Sequence, residues 1–243
     1  MRSIVALAFG FVLATGVAQA AVTGFVGNVG GNAADWGNYV AGTGQPVNTG
    51  IDFESHPIGT LDGSWYQGSH GVTMNIVAPI DSGVADYTSV PTGSTNCPCS
   101  SGEGQMPFSR ILFYRDQATL TVSFAMPVSG FGLYVGDHYD PFGTDAVVLE
   151  AFSGANGTGA SLGTFTLPSY NFQLGNQVFM GLASATREIG SVVLTDGFAA
   201  SGDGVYLDNF QIAGLEIPEP TGIGAVLLGL AVPWLRGRRR RRG

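Results

Sequence analysis

Lysine is missing from this 243-residue chain, and charge of any kind is scarce. Asp, Glu and Arg make up 12% of the residues, against about 25% charged residues in an ordinary globular chain. Without lysine there is no Walker-type phosphate loop. Cysteine is limited to Cys97 and Cys99, too few for a four-ligand structural zinc site. The three histidines, His56, His70 and His138, stand apart, and none belongs to a His-Glu-x-x-His zinc motif. No Gly-x-Ser-x-Gly elbow marks a serine hydrolase of that class. Any two of the acids between the termini could meet in space as a glycosidase pair, but nothing in the sequence singles out a pair. No catalytic residue is expected from local motifs.

The basic residues are also badly distributed. All ten are arginines; Arg2 opens the chain, six crowd into 236–242, and only Arg110, Arg115 and Arg187 lie between. Residues 21–217 therefore carry three arginines against seventeen Asp and Glu, a formal charge of −14. A surface of that sign repels nucleic acid, so no DNA or RNA partner is expected. The 44% apolar content excludes a disordered polyelectrolyte. The 38 glycines follow no Gly-X-Y period, which excludes collagen.

Both ends of the chain read as addresses. Residues 1–20 have a basic start at Arg2, an apolar stretch through Leu13-Ala14, and small residues at Ala18 and Ala20. That order is a secretory signal, cut by signal peptidase before Ala21. At the other end, Pro218-Glu219-Pro220 precedes an uncharged run over 221–235, then Arg236, Arg238, Arg239, Arg240, Arg241 and Arg242. As a helix the run would be roughly 22 Å long, short for a hydrocarbon core of about 30 Å, but snorkelling arginines and local thinning can close the gap. A single transmembrane helix with its arginine cluster on the cytoplasmic side leaves 21–217 outside, as the signal peptide also requires.

Between the ends the pattern is strand, turn, strand. Residues 21–50 are rich in Gly and Asn and read as a loop-rich leader with at most a short strand. From Ile51 onward, runs of period two recur: 51–54, 72–77, 111–114, 118–124, 130–135, 146–152, 162–167, 178–182, 189–195 and 205–212. Gly, Pro, Asn and Asp bound them, the signature of half-buried strands. No segment between the two ends shows a helical period. The expected fold is all-β: one antiparallel, jelly-roll-like β-sandwich over 51–215, followed by the tail at 216–243.

Pro-Glu-Pro, a short apolar helix and a terminal arginine cluster, in that order, resemble the PEP-CTERM sorting signal of Gram-negative bacteria. The resemblance covers 218–243. It implies recognition of Pro218, Glu219 and Pro220 by an exosortase, an integral-membrane enzyme thought to remove the tail, in a family associated with exopolysaccharide and biofilm matrix. Pro233 departs from the usual uninterrupted helix and would kink or end it early. The body also resembles the β-sandwich ectodomains common in PEP-CTERM proteins, through Asp52-Phe53-Glu54 with Pro57 and Gly59, Gly71-Val72-Thr73, residues 122–128 and 130–134, and Val205-Tyr206-Leu207-Asp208-Asn209-Phe210.

Such domains are similar to carbohydrate-binding jelly rolls, in which an acid near the first strand and one near the last share a structural Ca²⁺. Glu54 and Asp208 occupy the matching places, with Asp52 two residues from Glu54 on the same strand face; alternatively, Asp208-Asn209 only turns the chain or bonds a neighbouring strand. Cys97-Pro98-Cys99 is read as a local disulfide, strained across one residue, or as an intermolecular bridge or a free pair. Trp65-Tyr66 is the candidate platform on which a sugar ring could stack; the competing reading is that these rings cover an end of the sandwich. The implied role is that of an exported, exosortase-sorted surface or matrix protein, structural or adhesive in exopolysaccharide. The rival is a secreted carbohydrate-binding module or a glycan-acting enzyme.

Overall fold

The computed structural model describes residues 22–28, 31–45, 47–77, 83–86, 110–115, 118–136, 146–168, 178–196 and 204–215. The signal segment, Cys97 and Cys99, the Pro218-Glu219-Pro220 motif and the terminal arginines lie outside these residues. In chain order the elements are β1 (Thr23–Asn28), α1 (Gly31–Gly42), β2 (Val47–Ile51), α2 (Gln67–His70), β3 (Val72–Val77), β4 (Gly83–Asp86), β5 (Arg110–Arg115), β6 (Thr119–Val128), β7 (Gly130–Gly136), β8 (Ala146–Phe152), β9 (Ser161–Pro168), β10 (Val178–Ala183), β11 (Ile189–Asp196) and β12 (Gly204–Ala213). No helix among them is long and apolar enough to cross a membrane; the run 221–235 lies outside them.

The strands form two antiparallel sheets. The first runs β1-β10-β7-β12-β5-β4, with β2 also on β12, and the second runs β3-β6-β11-β8-β9. Alternation builds the core between them, because successive side chains of a strand point to opposite faces. Phe131, Leu133 and Val135 of β7 and Val178, Met180 and Leu182 of β10 meet Leu120, Val122 and Phe124 of β6 and Val147, Leu149 and Ala151 of β8 in one buried cluster.

Part of the other face of the first sheet, around β10, is buried as well, and here the sequence-based reading needs correction. Residues 21–50 are not a loop-rich leader. They supply β1, which pairs with β10, and β2, which pairs with β12; between these two strands comes α1. Trp36 and Val40 of α1 are buried with Phe179, Ala183 and Ala213 in a second apolar cluster. Trp36 Nε1–H donates to Leu182 O at 3.0 Å, and its ring tilts against Phe179 with centroids 5.8 Å apart. Ala33, Trp36 and Val40 have the i, i+3, i+7 spacing of a buried helix face, but Gly37, Asn38 and Gly42 obscure it.

This third layer explains part of the glycine content. Gly132 and Gly181 are direct register partners on β7 and β10. A methyl at Gly132 would sit 2.5 Å from Phe179 Cζ, and one at Gly181 would sit 2.6 Å from Phe179 Cε1 and 3.0 Å from Trp36 Cδ1. The aromatic rings under α1 occupy the space that side chains would need.

Candidate functional site

Strand β12 holds the first half of the site. One edge pairs with β7, while the other pairs with β5 over Gly204–Leu207 and with β2 over Phe210–Ala213. The change of partner falls at Asp208-Asn209. There β12 gains a residue against β7, with a register shift between Asp208 and Gln211, and Asn209 takes φ 49°. The extra residue is a β-bulge. It lets Leu207 and then Phe210 and Ile212 all reach the core, although their numbers differ in parity.

Asp208 at this junction is 0% exposed. Its Oδ1 accepts the Asn209 N–H at 2.6 Å, and its Oδ2 has no hydrogen-bond partner among the described residues. Burial pushes its pKa up to about 8; the Asn209 N–H opposes this, and Asp52 and Glu54 add to it by like-charge repulsion. Ile51 pairs with Phe210, so the chain leaving β2 delivers both acids beside the junction. Between them Phe53 takes φ 58°, a strained conformation for a bulky residue. Its buried ring is held edge-on by Phe210 at 5.1 Å and Tyr66 at 5.8 Å.

The expected calcium residues are thus brought to one locality, but they do not make a cage. Among the described residues no three His, Cys, Asp or Glu side chains are grouped to hold a metal ion. The orphaned Oδ2 in a buried carboxyl fits a hard cation. The six to eight oxygens that Ca²⁺ takes would have to come largely from backbone carbonyls.

The second half of the site is the segment from β2 to β3. His56 is 2% exposed. Its Nε2 accepts the Asp62 N–H at 3.0 Å, and its Nδ1 lies 2.6 Å from Pro57 O, a pattern satisfied by the ring with its proton on Nδ1. Asp62 in turn builds a tight turn. Its Oδ1 accepts Ser64 N–H at 2.9 Å and the Ser64 hydroxyl at 2.8 Å, and these two bonds lower its pKa. Trp65 N–H donates to Asp62 O at 3.0 Å, while Met74 N–H of β3 donates to Gly63 O at 2.9 Å. The turn is therefore sewn to the edge of the second sheet.

Trp65 projects from this turn 43% exposed, its ring tilted against His56 with centroids 5.2 Å apart. Tyr66, by contrast, is 3% exposed. The expected Trp65-Tyr66 pair is corrected: Tyr66 is a core residue packed on Phe53, and of the two Trp65 alone offers an open ring. His56 and Asp62, which hold Trp65 in place, were not legible as site residues, because nothing near them in sequence marks a lone buried histidine. His70 lies half-buried beside Tyr66 at 5.7 Å; burial lowers its pKa and Asp52 opposes the shift.

No family model matches the chain, and no curated protein sequence matches it. Among solved structures it is similar to the K2 cleaved adhesin domain of Lys-gingipain, at 10% identity over 68% of this chain and 98% of that one, with a TM-score of 0.46. It is similar to the K3 cleaved adhesin domain of Lys-gingipain from Porphyromonas gingivalis, at 11% identity over 68% and 97%, with a TM-score of 0.38. A third likeness is to TmCBM61, solved in complex with β-1,4-galactotriose, at 13% identity over 64% and 98%, with a TM-score of 0.37. These likenesses are of general outline only.

Proposed function

We propose that this chain is an exported, surface-directed β-sandwich that contacts neutral glycans of an extracellular matrix through Trp65 and does not turn them over. The observation that carries the reading is the half-exposed Trp65 ring, fixed on a hydrogen-bonded turn over a buried His56. An indole face of this kind packs against the C–H face of a sugar ring, at little entropic cost when the ring is already held. The Asp62 carboxylate and Ser64 hydroxyl, on the same turn, are the groups that would take hydrogen bonds from sugar hydroxyls. The charge of −14 over 21–217 disfavours polyanionic ligands. In a screen of immobilised polysaccharides the protein should be retarded by neutral chains and not by acidic ones, with no release of reducing ends. Steady release of reducing ends, lost when one Asp or Glu is changed to its amide, would instead establish a glycan-acting enzyme.

The address in this proposal rests on the termini. Signal peptidase cuts before Ala21, and an exosortase-type enzyme acts near Pro218-Glu219-Pro220 after the arginine cluster has anchored the tail. Leu215, the last of the described residues, is buried and precedes the motif by three positions. Intact-mass analysis of the exported protein should give a species starting at Ala21 and ending close to Pro218-Glu219-Pro220. Replacing 238–242 with Ser should impair the second cut; normal processing in that variant would remove the basic cluster from the account.

We also propose that Asp208, with Asp52 and Glu54 beside it, holds a structural Ca²⁺. The buried Oδ2 without a partner supports this. The cation would take the place of the proton on the buried Asp208 carboxyl, with backbone carbonyls as most of its other ligands. Excess chelator should then lower the melting temperature, because binding to the native state alone stabilises it.

A further inference from the structure

Asn156-Gly157 is the only Asn-Gly pair in the sequence, and it forms the tip of the β8–β9 hairpin. Both residues are left-handed, at φ 57° and 68°. Thr158 N–H donates to Ala155 O at 3.2 Å and Gly154 N–H to Thr158 O at 2.9 Å. Two successive positive φ angles are the mark of a type I′ hairpin turn, for which Asn-Gly is the preferred pair. The tip folds back onto the second sheet, over Ser123 of β6 and Ser191 of β11, which are register partners. Asn156 N–H donates to Ser123 Oγ at 2.9 Å, and the Ser123 hydroxyl donates to Asn156 Oδ1 at 3.0 Å. Gly157 N–H donates to Ser191 Oγ at 2.9 Å, and the Ser191 hydroxyl donates to Gly154 O at 2.6 Å. Both serines are buried while Asn156 is exposed.

We propose that Asn156-Gly157 is a latent site of spontaneous modification, held off in the folded protein by Ser123 and Ser191. The reaction needs only water. The Gly157 nitrogen attacks Asn156 Cγ and gives up its proton to solvent. The new C–N bond forms, the Cγ–Nδ2 bond breaks, and ammonia leaves a five-membered succinimide. Water then opens that ring at either carbonyl, giving an aspartate or a β-linked isoaspartate in place of Asn156. Glycine at the next position puts no side chain in the way of the attack. In the folded hairpin, however, the nucleophilic N–H is committed to Ser191. The electrophilic amide is tied through Oδ1 to the Ser123 hydroxyl that also binds the Asn156 N–H. Ring closure has to break both contacts. The isoaspartate product adds a backbone atom to the turn, so it cannot return to the type I′ geometry or to the two serines. The aspartate product keeps the acceptor that Ser123 needs.

The test is peptide mapping by mass after long incubation at mildly alkaline pH, comparing the full chain folded, the full chain in urea, and the folded variants Ser191→Ala and Ser191→Thr. Modification that requires local opening should run about tenfold or more slower in the folded wild type than in urea. Ser191→Ala should recover most of that rate, while Ser191→Thr, which keeps the hydroxyl, should stay protected. Equal rates in the folded and urea-unfolded wild type, or a folded Ser191→Ala as slow as wild type, would overturn the proposal. If Ser191→Ala does not fold, the comparison of folded and unfolded wild type decides alone.

Discussion

In excess chelator, the melting temperature of the wild type relative to Asp208→Asn should fall as pH rises from about 4 to about 8 and then level off. Burial, reinforced by Asp52 and Glu54, raises the Asp208 pKa to about 8 in the folded state, whereas an unfolded Asp ionises near pH 3.9. Between these values the native state holds a proton that the unfolded state has lost, so stability decreases with rising pH. The contribution is fully present below the unfolded pKa and gone above the folded one. A shift of this size corresponds to on the order of 5 kcal/mol between the two ends of the window. Other carboxylates act in the opposite sense: Asp62, with its lowered pKa, loses its contribution as pH falls. The difference between wild type and Asp208→Asn is therefore the quantity to measure. Calcium should flatten the wild-type curve by favouring the ionised carboxyl and should leave the variant unmoved. Parallel curves for the two proteins would mean that Asp208 is not the buried acid described above. A flat response to calcium would remove the cation while leaving the acid in place.

Trp36→Ala should cost about 3–5 kcal/mol, the usual range for truncating a large buried aromatic. The indole is fully buried and also supplies the N–H to Leu182 O. Gly181→Val should destabilise by roughly 1–3 kcal/mol through overlap with Phe179 and Trp36. The two routes converge, since one removes the ring and the other pushes it off the sheet. A chain beginning at Ile51 lacks β1, α1 and most of β2, and should not reach the native near-ultraviolet spectrum. A cooperative, wild-type-like melt of that shortened chain would restore residues 21–50 to the status of a leader. Urea unfolding of the two point variants gives the free energies directly.

The second sheet was the most legible part of the fold. The bounds of β3 and β8 coincide with period-two runs in the sequence, because their side chains alternate between the core and the outer face. On β7, the alternation of glycine with large residues was visible before its cause: Gly132 lies under the Phe179 ring and Gly130 beside Trp36 of α1. The helix itself escaped because a short face of Ala33, Trp36 and Val40 is interrupted by glycines of poor helical propensity. Tertiary packing on Phe179 and Ala213 overrides that propensity. The partner switch within β12 was invisible for a related reason: Val205 to Ile212 reads as one strand, and only the pairing with β5 and β2 shows two halves. The three acids around Asp208 could be placed by resemblance, but their burial could not. For Trp65 and Tyr66, adjacent residues of similar chemistry have opposite fates, because the turn at Asp62 to Trp65 sends one ring to solvent and the other onto Phe53. Local composition carries no information about that choice.

The proposed neutral-glycan contact is built on Trp65. Its most direct test is calorimetric titration of the wild-type protein and Trp65→Ala with neutral oligosaccharides that retard the wild type in the polysaccharide screen. Thermal melts of both proteins should accompany the titration. Saturable wild-type binding is expected, with no detectable binding by Trp65→Ala and with melting temperatures within a few degrees of each other, because the ring is half in solvent. Binding by Trp65→Ala with unchanged affinity, or a wild-type protein that binds none of the neutral chains, would rule out a glycan contact through Trp65.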